Sequence, residues 1–507
     1  MKSGKRYNIA ILSKSLLLIA FSLFSILNLA NAQSDSIKSI PVEVLRSDLN
    51  ALISSSDFAN ANIGICVQSL ETGEYIYQHN ESKNFIPAST QKIITTAAGL
   101  DLLGEDFRFS TKMYLDGNLS PNGIFAGNLI LRGLGDPTIS KYFYKEPLEI
   151  IDSWVRKLDS LGITSINGNL IGDDSYFDDT YYGPGWSWDD FTFYYSAQVS
   201  ALSFNDNRVD FYIFSGDSAG ATARLTPYPV SSYYRIINSI RTVSDNYNKI
   251  IISRTPNGNI LNLTGSVPYE LSRKTSQNVS ITIDNPTHFL LDQFKNKLIE
   301  HNIRFTGGVF QKSSFHENID YTQINPIIEF YSPSLKDIIP IVNQESHNLA
   351  AEMLFKTLGK ESSGTGSFES GSEFVMSYLQ KAGVNTQTIR ILDGSGLSRL
   401  NLISPDNLVK VLNYIYRSPY SENFMNSLAK PGDPGTLKRR MTRSKAEKSV
   451  LAKTGSMNNV SAICGYVTSG DGEIFSFSIM MQNFTVPITM ATNLQDLILM
   501  RLSGFYR

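Results

Sequence analysis

Cysteine is nearly missing from this chain of 507 residues. Only Cys66 and Cys464 occur, each within an apolar, strand-like run, so a disulfide-stapled scaffold is excluded and two buried free thiols are expected even in an oxidising compartment. The five histidines, His79, His288, His301, His316 and His347, show no metal-ligand spacing, and neither a metal nor a cofactor is expected. A net charge of −2 lacks the basic face that a nucleic-acid partner demands. Past residue 32 no apolar run approaches the roughly 18 to 20 residues that span a bilayer. No internal repeat or long low-complexity tract is evident. The Gly/Ser-rich stretch 361–371 lacks the lysine of a phosphate loop and reads as a flexible linker.

One long apolar run is present, at the start. Lys2, Lys5, Arg6 and Lys14 form a basic head before the apolar stretch 16–27, and Ala30-Asn31-Ala32 supplies small residues at a cleavage site. Residues 1–32 read as a signal peptide cut before Gln33, which implies export across the inner membrane to the periplasm. No cysteine follows the apolar stretch, so a lipid anchor is not expected. What remains is too long for one domain, since domains usually run about 100 to 200 residues.

The chemistry begins at Ser89-Thr-Gln-Lys92. Residues three apart share a helical face, so the Lys92 amine can reach back to the Ser89 hydroxyl as its base. Pro87 prevents a helix from running smoothly through it, and the Ala-rich stretch to Leu103 with a stop at Gly104 predicts a helix starting near Ser89. Such a base requires a lysine pKa pulled down from about 10.4 toward neutrality. Alone, the pattern is common in proteins.

Two later segments give it weight. Ser346-His347-Asn348 precedes an apolar helical run, and residues two apart share no helical face, so Ser346 and Asn348 are expected at a loop or helix start with Asn348 available as an N-cap. Lys453-Thr454-Gly455-Ser456 leads into the strand-like run 460–467. In an ideal pleat Lys453 and Gly455 point to one side and Thr454 to the other, so a twist or bulge is expected to bring Thr454 to a ligand. Gly455 leaves room for a substrate backbone to add itself as an extra strand.

S-x-x-K, S-x-N and K-T-G in this order mark serine penicillin-recognising enzymes. Together with the segments 133–137, 183–190, 200–205, 393–405 and 434–441, they make the chain resemble the class C low-molecular-mass penicillin-binding proteins, the D-alanyl-D-alanine carboxypeptidase and endopeptidase family, over nearly its whole mature length. One departure is Gln198, where a proline is expected. The resemblance implies an α/β multi-domain protein: a transpeptidase-like (β-lactamase-like) domain with a five-stranded antiparallel sheet flanked by helices, interrupted by β-rich inserted domains. In that fold the strands of Cys66 and Cys464 are not neighbours.

The spacing of the motifs supports this organisation. Ser89 and Ser346 are more than twice as far apart as Ser346 and Lys453, and the longer interval carries β-rich patterns at 107–114, 127–132 and 279–283. The expected division is 33–107 for the first catalytic part, 108–325 for an inserted β-rich region of two small domains, and 326–507 for the second catalytic part. Hairpins are expected around the turns 71–74 and 469–472.

The implied mechanism starts with Lys92, kept neutral by the nearby positive charge of Lys453, taking the Ser89 proton. Ser89 attacks the carbonyl between two D-alanines. The backbone amides of Ser89 and, by resemblance, Ser456 form an oxyanion hole. Ser346 relays a proton to the leaving amine, Asn348 holds the substrate amide, and Lys453 with Thr454 binds the terminal carboxylate. Arg399 is a candidate anchor for a peptide carboxylate, with a surface salt bridge as its plain alternative. Asp173 is a candidate contact for the amine of a diaminopimelate side chain, with a turn carboxylate as the alternative. The expected ligands are peptidoglycan stem peptides and, as covalent inhibitors, β-lactams. Rival readings are a β-lactamase or esterase using the same acyl-enzyme, and a noncatalytic wall-binding or penicillin-sensing protein.

Overall fold

Alternation along one strand explains how the body of the molecule is layered. The computed structural model describes residues 39–270 and 276–507, so the expected signal segment 1–32 lies outside the described residues. A five-stranded antiparallel sheet runs in the order Val450–Met457, Val460–Thr468, Ile474–Gln482, Asn62–Ser69, Tyr75–His79. On Val460–Thr468, Ala462, Cys464 and Tyr466 join one core while Ile463 and Val467 join another, because successive side chains leave a strand on opposite faces. Both faces are covered. Leu45 and Leu49 of the helix Val42–Ile53 and Leu494, Ile498 and Leu502 of Ile488–Ser503 pack on one side. The other receives the helices Gln91–Leu103, Leu335–Gln344, Asn348–Ser363, Phe368–Lys381 and Pro405–Tyr416.

Cys66 and Cys464 stand opposite the same residue, Ser478, from the two flanking strands. Two strand spacings separate them by roughly 9.5 Å, beyond the roughly 7 Å limit of a disulfide. Both are free and fully buried, as expected from the sequence, and burial pushes both thiols upward in pKa. Among the described residues no helix is long and apolar enough to cross a membrane.

The chain leaves the body near Phe107 and returns beside its own exit: Ser332 N–H donates to Phe109 O at 3.0 Å and Leu335 N–H to Phe107 O at 2.8 Å. Between them lie a seven-stranded sheet and two three-stranded sheets, with the helices Leu148–Ser160 and Pro286–Glu300. The strand Pro326–Tyr331 pairs with Ser110–Leu119, so the inserted sheet extends a few residues beyond the expected limit at 325. Met113, Leu129, Phe211, Ile240, Leu261 and Phe294 belong to one buried cluster, which joins all three sheets around a shared core. Gln198, where a proline was expected, is buried and donates to Asp284 Oδ1 at 2.8 Å while accepting from Asn285 N–H at 2.7 Å.

The stretch 361–371 is not a flexible linker. The helix Asn348–Ser363 ends on Gly364 at φ 82°, and Ser367 caps Phe368–Lys381 in a reciprocal capping box with Ser370. The glycine and serines encode a tight turn between two helices.

Leu354 is 1% exposed and lies over Gly99, its Cδ2 at 3.1 Å from where a β-carbon would stand there. It ties the helix that follows Asn348 to the helix that carries Lys92. Leu354→Ala is expected to destabilise the protein by about 3 kcal/mol, read as a lower denaturant midpoint with an unchanged slope. A loss under about 1 kcal/mol would show that this contact does not hold the helix pair together.

Candidate active site

The Ser89 turn is held between two walls of backbone. A 3-10 turn, Ala88–Thr90, leads into the helix Gln91–Leu103, as the Pro87 signal predicts, and Ala88 takes a left-handed φ of 46°. A β-carbon on Gly455 would stand 2.8 Å from Pro87 O and 3.0 Å from Ser89 N, and one on Gly396 would stand 1.8 Å from Ala88 O. Gly455 therefore makes room for the Ser89 turn itself. Ser89 remains half-buried and faces a cavity of about 840 Å³.

One helical turn on, Lys92 is fully buried. Its Nζ lies 3.0 Å from Ser89 Oγ and donates to Asn348 Oδ1 at 2.7 Å and to Ser395 O at 2.7 Å. Burial pulls this amine down to about 7, against the opposing pull of Glu352 and Asp393. Lys453 is also fully buried, with its Nζ donating to Thr454 O at 2.8 Å. Burial first and the Lys92 charge second hold it well below the ordinary lysine range. Desolvation is thus the first cause for both amines, and beside it the two buried ammonium groups disfavour each other's charge.

Two buried carboxylates build the wall behind this pair, and neither was singled out from the sequence. Glu352 accepts from Gly394 N–H at 2.7 Å and Ser395 N–H at 2.8 Å, so it anchors the loop from which Ser395 offers its carbonyl to Lys92. Burial, together with the nearby charge of Asp393, raises the Glu352 carboxyl. Asp393 accepts from Gly396 N–H at 2.9 Å, Ser398 N–H at 2.6 Å, Asn401 Nδ2 at 2.7 Å and Trp186 Nε1 at 2.9 Å. A lone carboxylate in the apolar run 349–355 was the available signal for Glu352, and the head of the 393–399 segment was the signal for Asp393.

Ser346 enters the cavity from a left-handed φ of 61°. The helix that follows is capped by His347, whose Nδ1 accepts from Ala350 N–H at 3.1 Å; Asn348 is the first helical residue and not the expected cap. Asn348 uses both ends of its amide within the protein, Oδ1 toward Lys92 and Nδ2 donating to Tyr195 O at 2.7 Å.

Pairing of Val450–Met457 with Val460–Thr468 is continuous, Lys453 opposite Cys464 and Thr454 opposite Ile463. No bulge interrupts the strand at Thr454. Ser89, Ser346, Asn348, Arg399 and Ser456 all line the cavity. Arg399 is exposed, and its guanidinium donates to Asn458 O at 3.0 Å. Asp173 does not reach the cavity. It is 1% exposed on the inserted strand Leu170–Asp173, where it accepts from Ser175 N–H at 3.0 Å and from Tyr321 Oη, with Arg132 Nε at 3.7 Å. The turn carboxylate is the reading that its geometry favours. The inserted region reaches the cavity instead through Tyr142, Asp190, Tyr194, Tyr195, Asp206 and Arg208.

Residues 45–498 match the D-Ala-D-Ala carboxypeptidase 3 (S13) family. A D-alanyl-D-alanine carboxypeptidase of Actinomadura sp. (strain R39) is 30% identical over 472 residues, covering 91% of this chain and 85% of the relative. The D-alanyl-D-alanine carboxypeptidase DacB of Haemophilus influenzae is 26% identical over 424 residues, covering 82% and 84%. The crystal structure of penicillin binding protein 4 (dacB) from Haemophilus influenzae superimposes with a TM-score of 0.77 at 24% identity, covering 92% of this chain and all of that one. Its complex with a β-lactam gives 0.70 at 23% identity, covering 90% and 97%. The match of sequence along nearly the whole chain, with a cavity-facing serine 3.0 Å from a buried lysine, leads to one conclusion: this protein belongs to the D-Ala-D-Ala carboxypeptidase 3 (S13) family and is a serine-type peptidase of the penicillin-binding class.

Proposed function

We propose that Ser89 is the nucleophile and Lys92 the base of a periplasmic enzyme that cuts the D-alanyl-D-alanine bond of peptidoglycan stem peptides. The observation that carries this is the set of three contacts made by Lys92 Nζ. Asn348 Oδ1 and Ser395 O can only accept, so in a neutral amine they take both N–H bonds and leave the lone pair directed at the Ser89 hydroxyl. Ser89 Oγ attacks the substrate carbonyl, its proton passes to Lys92, and Ser346 carries a proton to the amine of the departing D-alanine. Backbone amides of Ser89 and Ser456 stabilise the oxyanion. Water then opens the acyl-enzyme and releases the shortened peptide.

Lys453 with Thr454 receives the terminal carboxylate, whose charge favours protonation of the buried Lys453. The role once sought for Asp173 passes to Asp190, which lines the cavity and accepts from Tyr195 Oη at 2.8 Å. Asp190 on the inserted side and Arg399 on the catalytic side suit a third residue whose side chain carries both an amine and a carboxylate. β-Lactams acylate Ser89 by the same attack. Export under the 1–32 segment brings the enzyme to its substrate.

Three measurements test this reading. Wild type is expected to take up one fluorescent penicillin and to release D-alanine from stem peptides, and Ser89→Ala to do neither; labelling that persists in the variant would exclude Ser89. Because protonation removes the base, kcat/KM is expected to fall tenfold per unit below a pH of about 7. A rate that stays level from pH 9 down to 6 would exclude Lys92. Asp190→Asn is expected to lower kcat/KM about 10- to 100-fold for peptides with a free amine on the third residue, and to leave the slower, amine-acetylated peptides unchanged. Equal losses on both peptides would remove Asp190 from amine recognition.

A further inference from the structure

The residue between Ser346 and Asn348 is held from outside the catalytic body. His347 is 7% exposed, and its Nδ1 is occupied as acceptor for Ala350 N–H. Its proton is therefore on Nε2, which lies 2.9 Å from Asp206 Oδ1. The imidazole is thus a bridge: one nitrogen caps the helix that carries Asn348, the other donates to a carboxylate of the inserted region. Tyr142 meets the ring edge-on at 4.7 Å.

Asp206 is presented by an uncommon backbone. Asn205, Asp206 and Asn207 take φ values of 48°, 52° and 54° in succession, a conformation that L-residues adopt singly and rarely in runs. Asn207 Nδ2 donates to Gln198 O at 2.8 Å and Ser203 Oγ at 3.0 Å, and Asn205 N–H to Ile139 O at 2.9 Å, fixing the turn from behind. Arg208 Nη2 lies 3.4 Å from Asp206 Oδ2 and its Nε 3.0 Å from Asp210 Oδ1, so the carboxylate is itself oriented. Beside it, Tyr195 O accepts from Asn348 Nδ2. The inserted region grips two consecutive residues of the motif, 347 by a side chain and 348 by a carbonyl.

We propose that Asp206 is a positioning residue for the peptidase reaction: through His347 it holds the Ser346 backbone and the Asn348 amide in register with Ser89 and Lys92, so that the inserted region sets the reactive geometry of the catalytic cleft. The proposal rests on Ser89 and Lys92 doing the chemistry. It assigns Asp206 no contact with substrate.

The test uses His347→Asn, Asp206→Asn and the double variant in the full chain. Asparagine caps a helix about as well as any residue but is too short to reach Asp206, so His347→Asn removes the bridge and keeps the cap. Its thermal midpoint is expected within about 2 °C of wild type. For D-alanyl-D-alanine peptides kcat is expected to fall about 10- to 100-fold with KM within about twofold, and one fluorescent penicillin is still taken up, more slowly. Asp206→Asn is expected to match that loss, and the double variant to be no slower than the slower single, as for residues acting as one unit. A wild-type kcat in His347→Asn, or losses that multiply in the double variant, would overturn the proposal. A wild type that neither labels nor cleaves would instead bring down the enzymatic reading, a result separable from any change at 347.

Discussion

Burial of a single amine is the constraint around which this site is built. Lys92 is fully buried, and desolvation outweighs the pull of Glu352 and Asp393 toward its charged form. Moving an ion out of water costs several kcal/mol even after the protein relaxes, so the amine stays near neutrality only where its walls exclude solvent. Those walls come from distant parts of the chain: the Ser89 turn, the 346–348 corner, the 393–396 loop and the 453–456 strand. Each contributes something an amine can use. Asn348 and Ser395 give acceptors, Glu352 and Asp393 hold the amides on either side of Ser395, and Gly455 lets the strand approach the Ser89 turn.

The inserted region belongs to that enclosure. Trp186 Nε1 donates to Asp393, Tyr195 O accepts from Asn348, and Asp206 bonds to His347. These contacts fall on two different walls of the cleft, the 393–396 loop and the 346–348 corner. The paired backbones at 107–109 and 332–335 fasten the insert at its base. A module tied at its stem and again at the cleft has little freedom to tilt as a unit, so its packing and the precision of the cleft are coupled.

The parts legible from sequence were those whose chemistry is local. Ser89 and Lys92 share one turn of helix, and 346–348 and 453–456 are short motifs, so spacing alone marked them. The hairpins followed from turn signals, whereas the five-stranded sheet and the separation of Cys66 from Cys464 followed only from the resemblance to penicillin-recognising enzymes. What escaped depends on long-range contact. Glu352 acts on amides some forty residues away, and Asp206 meets a histidine 141 positions later in the chain. Asp173 kept two readings because a turn carboxylate looks the same in sequence whether it faces a ligand or, as here, Tyr321 and Arg132. The Gly/Ser-rich stretch 361–371 was misjudged because that composition suits both flexibility and a tight turn between helices. At Thr454 the pattern left a twist or a bulge open, and the unbroken pairing with the neighbouring strand leaves no bulge there.

Two backbone conformations show where the fold sustains strain for the sake of geometry. Ala88 and Ser346, one beside Ser89 and one at the head of the 346–348 corner, both sit at left-handed φ values of 46° and 61°. Neither is glycine, so each conformation costs of order 1 to 3 kcal/mol and persists only where the surroundings over-determine it. At Ala88 the surroundings are Gly396 and Gly455, whose missing side chains let two backbones close on the turn. At Ser346 they are the His347 cap and its bond to Asp206. Relaxing Ala88 would swing the Ser89 hydroxyl away from Lys92, whose position is fixed by its own three contacts. The lysine is therefore the rigid reference in this site, and the strained turns are the parts that packing must hold against it.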